Sequence, residues 1–194
     1  MELILASGSP YRRDLLARLG LPFRVVVPAV DESARDGEPP AALSVRLARA
    51  KAIAVAAREP GAVVVGSDQV ATLDDATPIG KPGSLERARE QLAAASGRTM
   101  RFHTAFAVVA PGSLPIEECI DVTVRFRHLT PTAIERYLAL ERPFDCAGAA
   151  KCEGLGIALL ESISTDDPTA LIGLPLIRLA AALRRVGLDP LGTS

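Results

Sequence analysis

The chain has 194 residues, 48% of them hydrophobic, with 22 basic and 23 acidic side chains and a net charge of -1. That content supports a packed core and excludes a disordered chain, while the balanced charge gives no overall positive field for DNA, RNA or an anionic membrane. Any polyanion must therefore be met by a local cluster of cations.

The first predicted element is a short buried strand at residues 2–6. No basic flank precedes its apolar run, and no stretch of about 18 apolar residues occurs anywhere, so neither secretion nor a membrane span is expected and a cytoplasmic location is. Ser9 and Pro10 then read as the cap and first position of a helix running to Leu19. Strand, tight turn and helix start place backbone N–H groups at residues 7–9, the outline of an anion site. A second strand is predicted at residues 23–27, and residues 28–40 form a polar loop carrying Asp31 and Glu32. Residues 41–58 read as a helix with Leu43, Leu47, Ala50 and Ala54 on one face, and Lys51 borders that face because it lies one turn after Leu47.

The apolar run at residues 62–66 has the look of a central strand, with Ser67-Asp68-Gln69 at or just past its end. Polar groups at strand ends commonly face clefts in α/β folds. A capped helix follows at residues 84–95. Alternating residues at 100–109 and 120–126, with Pro111-Gly112 between, predict two antiparallel strands. Helices at residues 131–140 and 175–186 flank a Gly-rich stretch at residues 146–156. No repeat or linker divides the chain, so the expectation is one mixed α/β unit over residues 1–194 with a cleft.

Cysteine and lysine usage narrow the chemistry. Cys119, Cys146 and Cys152 form no regular framework, which suits a reducing compartment and gives no zinc pattern. Of the 22 basic residues only Lys51, Lys81 and Lys151 are lysines, leaving 19 arginines. Where Arg serves almost everywhere, a retained Lys points to a site that wants a compact ammonium rather than a planar fork. Familiar phosphate motifs fail: Gly80-Lys81 is followed by Pro82, and Gly154-Leu155-Gly156 lacks the third glycine of a dinucleotide fingerprint. His103, within a strand, and His128, before a helix, read as structural or surface residues.

What remains is a series of spaced motifs: Ala6-Ser7-Gly8-Ser9-Pro10-Tyr11-Arg12-Arg13, Val30-Asp31-Glu32, Arg46-Leu47-Ala48-Arg49-Ala50-Lys51-Ala52, Gly66-Ser67-Asp68-Gln69, Gly80-Lys81-Pro82 and Cys146-Ala147-Gly148-Ala149-Ala150-Lys151-Cys152-Glu153-Gly154. Their order and spacing resemble the Maf-like nucleoside triphosphate pyrophosphatases over essentially the whole chain, down to residues 171–177. The resemblance implies an elongated curved mixed sheet flanked by helices, similar to inosine triphosphate pyrophosphatases, with two lobes around a cleft. It also implies hydrolysis of a nucleoside triphosphate between its α and β phosphorus atoms, with Ser7, Arg12, Arg13, Lys51 and Lys81 at the phosphates and Lys151 elsewhere in the cleft. Such chemistry calls for positioning and charge neutralisation more than for a covalent nucleophile.

Glu32 and Asp68 are hard oxygen donors suited to Mg²⁺ or Mn²⁺, and in the family the residue matching Asp68 is the proposed general base. Whether Asp68 takes the proton or mainly holds the metal stays open. Tyr11, Gln69 and Glu153 resemble the branch acting on 7-methyl-GTP rather than the branch acting on dTTP and UTP. An aromatic face gains a cation–π contribution of roughly 0.5–2 kcal/mol from a cationic base. Ala149 and Ala150 depart from that branch, where Ser and Phe are usual. Alternatives are a pyrimidine or broader preference, or a nucleotide-binding regulator of septum formation and cell division. A nucleoside triphosphate is the expected partner, nucleic acid and membrane are not, and homodimer assembly stays open.

Overall fold

The structure, a computed structural model, describes residues 1–192; Thr193 and Ser194, at the end of the expected single unit, lie outside the described residues. Six strands form one mixed sheet in the order β2-β1-β3-β4-β5-β6. β1 (Leu3–Ala6) lies parallel to β2 (Phe23–Val25) and to β3 (Val63–Thr72). The crossovers are α1 (Pro10–Ala17) and α2 (Pro40–Ala56), as parallel neighbours require. β3, β4 (Thr99–Val109), β5 (Ile116–Phe126) and β6 (Leu160–Ser164) continue as an antiparallel meander. α3 (Leu85–Ala95), α4 (Pro131–Glu141) and α5 (Leu176–Arg185) complete the helices, with single 3₁₀ turns at Ala147–Ala149, Leu155–Leu159 and Ala170–Ile172.

The pleat of β3 sorts its side chains to two layers. Val63, Val65 and Ala71 join the larger apolar core with Leu15, Leu92, Leu138 and Leu179, while Val64 meets Ala48, Ala52 and Val55 of α2. Small residues let α2 lie close to its face of the sheet. A Cβ on Gly66 would stand 2.3 Å from the Ala48 carbonyl oxygen and 2.6 Å from the Ala52 nitrogen, so no larger residue fits there without moving the helix. This close approach carries Lys51, one position before Ala52, over the middle of β3.

Three elements differ from the sequence reading. β3 does not end near Gly66 but runs on to Thr72, because residues 67–72 stay paired with β4 throughout and are covered on both faces. What ends there is its neighbour, since β1 pairs no further than Ala6 with Gly66. β5 begins at Ile116, earlier than expected, through half-buried residues with weak alternation. β6 was not anticipated: it is short, mostly exposed and held at the sheet edge by β5. No helix among the described residues is long and apolar enough to cross a membrane.

Candidate active site

A cleft of about 640 Å³ opens where β1 stops and β3 continues. On that side of β3 the next pairing is the single bridge from Ala71 to Ile79, so residues 67–70 form a window of free strand edge. Ser7, Gly8 and Ser9 leave β1 on one side of the window, and Ile79, Gly80 and Lys81 approach from the other. Ser9 caps α1 by accepting from the Arg12 N–H at 3.4 Å, and its own N–H donates to the buried Ser7 hydroxyl at 3.1 Å. The turn is thereby held with its backbone at the cleft, beside the positive end of α1.

The chemical centre is a charged trio. Lys51 Nζ lies 2.6 Å from Asp68 Oδ1 and 2.8 Å from Glu32 Oε1. Lys51 is 5% exposed and Asp68 7%, whereas the Glu32 side chain is 61% exposed, so two groups are fixed and the third reaches in from its loop. A buried ammonium requires such partners, because isolated burial of a charge is prohibitive. Arg12 completes the cationic wall. Its Nε donates to the Gly173 carbonyl at 2.9 Å; removal from water pulls its pKa down, and Asp68 and Glu32 oppose that fall.

The opposite face of the β3 edge is polar but uncharged. Ser67 donates to the Ala105 and Gly173 carbonyls, and the Gln69 amide nitrogen donates to Thr104 Oγ1 and to the Ala170 and Leu171 carbonyls, each at 3.0 Å. The Ala170, Leu171 and Gly173 carbonyls belong to a turn that buried Asp167 organises by accepting from Thr169, Ile177 and Arg178. Asp167 is not singled out by the sequence, since its bonds to Thr169 are those of an ordinary local turn and its hold on the start of α5 is set by the fold. At the far end, the Tyr11 hydroxyl donates to both oxygens of Asp145 at 3.1 and 3.0 Å, and Lys151 Nζ stands 5.6 Å from the Tyr11 ring centroid. Lys151 also pairs with Glu141 at 3.2 Å, which raises its pKa.

Of the residues expected at the site, Ser7, Tyr11, Arg12, Glu32, Lys51, Asp68, Gln69 and Lys81 line this cleft. Two do not. Arg13 is turned to solvent and paired with Asp14, because one residue along a helix rotates the side chain by about 100° from Arg12. Glu153 lines an adjoining pocket of about 350 Å³ with Cys152, Ile157 and Ile163. Asp145, which the sequence reading passed over, does line the cleft; its place directly before the Cys146–Gly154 motif was the available signal.

Glu32 and Asp68 fit the donor chemistry of a hard divalent cation, since their carboxylate oxygens converge on one point held by an ammonium. A separate group lies on the α2 face of β4 and β5. His103 Nδ1 is 2.7 Å from Asp121 Oδ1, and Cys119 brings the three donor atoms within 4.8 Å of one another. His103 and Asp121 are direct cross-strand partners, so the pair also serves as a sheet contact.

Comparison with known proteins bears on this arrangement. A family model described as Maf-like protein matches residues 2–186. A protein of Bordetella pertussis named 7-methyl-GTP pyrophosphatase is 59% identical over 191 residues, covering 98% of this chain and 94% of the relative. One of the same name from Xanthomonas axonopodis pv. citri is 58% identical, covering 96% of this chain and 97% of the relative. Among solved structures, a nucleoside-triphosphatase / dITP/XTP pyrophosphatase from Mycobacterium abscessus is similar at 16% identity and a TM-score of 0.49, covering 96% of this chain and 94% of that one.

Proposed function

Because this chain belongs to the Maf-like protein family, we propose that its cleft hydrolyses 7-methyl-GTP to 7-methyl-GMP and pyrophosphate, removing a modified nucleotide in the cytoplasm. The observation that carries the reading is the trio Lys51, Asp68 and Glu32, placed in one cleft with the Ser7–Ser9 turn, Arg12 and Lys81. Cations and N–H donors answer a triphosphate, and carboxylates answer the water and the divalent ion that such a reaction needs.

In this reading the triphosphate enters along the free edge of β3. The backbone at residues 7–9, Arg12 and Lys81 hold it and offset its charge. Asp68 accepts a proton from a water as the water oxygen bonds to the α-phosphorus; the bond from that phosphorus to the αβ-bridging oxygen breaks, and pyrophosphate departs. Lys51 orients Asp68 before that transfer. Glu32 and Asp68 would hold Mg²⁺ or Mn²⁺, which supplies charge neutralisation at the phosphates and a more acidic water. Tyr11 offers a stacking face to the base. Gln69, whose amide nitrogen is engaged by carbonyls, presents its oxygen as an acceptor for guanine N–H groups.

The test is turnover of 7-methyl-GTP by the purified protein, with and without a chelator. Monophosphate and pyrophosphate formed only with a divalent ion are expected; orthophosphate and the nucleoside diphosphate would overturn the reading. One observation favours a second reading with pyrimidine or broader preference, namely that Glu153 lies in the adjoining pocket. A panel including GTP, dTTP and UTP separates the two, and absent turnover of any triphosphate would favour a regulatory nucleotide-binding role. Light scattering on the same sample distinguishes monomer from homodimer.

A further inference from the structure

We propose that Asp145 is a specificity-determining residue of the cleft, holding Tyr11 by its hydroxyl and supplying the negative charge that favours a cationic purine over a neutral one. The inference rests on the reading that the cleft takes a 7-methylguanine nucleotide. Three carboxylates line the cavity: Glu32, Asp68 and Asp145. The first two are tied to Lys51, whereas Asp145 has only the neutral phenol of Tyr11 as its hydrogen-bond partner in the cleft. Among the described residues it is the carboxylate of the cleft that enters no ion pair, and it lies at the end of the cavity where the aromatic ring stands.

The pairing also shapes the ring. Burial and the Asp145 carboxylate together raise the Tyr11 pKa to about 12, so the hydroxyl stays protonated and remains a donor at neutral pH. A phenol that donates to an anion carries more electron density on its faces, and ring faces attract cations within about 6 Å. Such a cation is already present: Lys151 Nζ lies 5.6 Å from the ring centroid. Lys151 has a second partner in Glu141, so it need not give up all compensation if another cation takes the ring. Methylation at N7 gives guanine a positive charge and a methyl group while leaving the same donor and acceptor atoms on its Watson–Crick edge. Discrimination must then come from a cation-receptive face and a nearby negative charge, and the Tyr11–Asp145 pair combines both.

Calorimetric binding of 7-methyl-GMP and GMP to the intact chain tests this without requiring turnover. The wild-type chain is expected to prefer 7-methyl-GMP, and Asp145→Asn to cut that preference about three- to tenfold, a range kept low because the pair is exposed and screened. Tyr11→Phe, which keeps the ring and removes the hydroxyl, is expected to cut it too, and the double variant to cut it by less than the product of the single effects. An unchanged preference in Asp145→Asn overturns the inference, as does equal binding of both nucleotides by wild type. Should Asp145→Asn fail to fold, an unchanged preference in Tyr11→Phe overturns it equally. Selective binding that depends on Asp145 but is accompanied by no turnover of 7-methyl-GTP would support the inference while removing the proposed reaction.

Discussion

The two ends of the cleft are built in opposite ways. Around Lys51 and Asp68 the functional groups come from a helix and a central strand, are almost fully buried, and are fixed by a backbone approach that only Gly66 permits. Around Tyr11, Asp145 and Lys151 two of the three groups come from a segment of short turns, and the contacts between them are exposed. Regular buried elements hold a geometry that the bond-breaking step demands, whereas a turn-rich rim can exchange residues without disturbing the core. The phosphate end is thus the rigid part and the base end the adjustable part.

The strongest way to break that contrast is Asp68→Asn, which keeps shape while removing the base and a charge. A loss of roughly 10² to 10⁴ in turnover is expected, alike for 7-methyl-GTP and UTP. A loss confined to one substrate would mean that the rigid end also selects bases. Next is Lys51→Arg, which preserves charge but asks a planar fork to fit where Lys51 is 5% exposed between two carboxylates. Activity is expected to fall by about tenfold or more, with little change for Arg178→Lys at an exposed position of α5. Similar effects for both would reduce the rarity of lysine to coincidence.

At the adjustable end, Glu153→Gln sharpens the comparison. From the adjoining pocket its carboxylate acts at a distance and through solvent, so the ratio of kcat/KM for 7-methyl-GTP to that for GTP should fall only about two- to threefold. A fall approaching a hundredfold would bring Glu153 into the cleft when substrate is bound. Smallest of all is Arg13→Ala. With its guanidinium in solvent beside Asp14, it should alter turnover by less than about twofold and stability by less than about 0.5 kcal/mol, read from kinetics and a melting curve.

Which parts were legible in the sequence follows the same division. Strand, cap and helix at residues 2–19 announce themselves through an apolar run, Ser9 and Pro10, and the structure has them at Leu3–Ala6, Ser9 and Pro10–Ala17. Lys51 was placed at the border of a buried face by helical spacing, and it is in fact buried, because Gly66 lets α2 come closer than spacing alone can reveal. Arg12 and Arg13 are adjacent in sequence, and only their rotation about α1 decides that Arg12 meets the Gly173 carbonyl while Arg13 meets water. Asp145 and Asp167 were missed for a shared reason: each acts on residues distant in the chain, Tyr11 for the first and the start of α5 for the second. Local pattern carries no trace of such partners.

The continuity of β3 through the cleft has a consequence for how the chain can change length. Its faces alternate strictly from Val63 to Thr72, with Asp68 toward Lys51 and its neighbours Ser67 and Gln69 toward the turn that ends at Gly173. Inserting or deleting one residue upstream of Asp68 within this strand would exchange the two faces, carrying the carboxylate to the carbonyls and bringing to the ammonium the Ser67 hydroxyl after an insertion or the Gln69 amide after a deletion. A change of two residues would restore the face but shift Asp68 along the strand by about 6–7 Å, beyond the reach of Lys51. Length variation among descendants of this sequence must then gather in connections such as residues 73–78 and 110–115, leaving the spacing from Gly66 to Gln69 invariant.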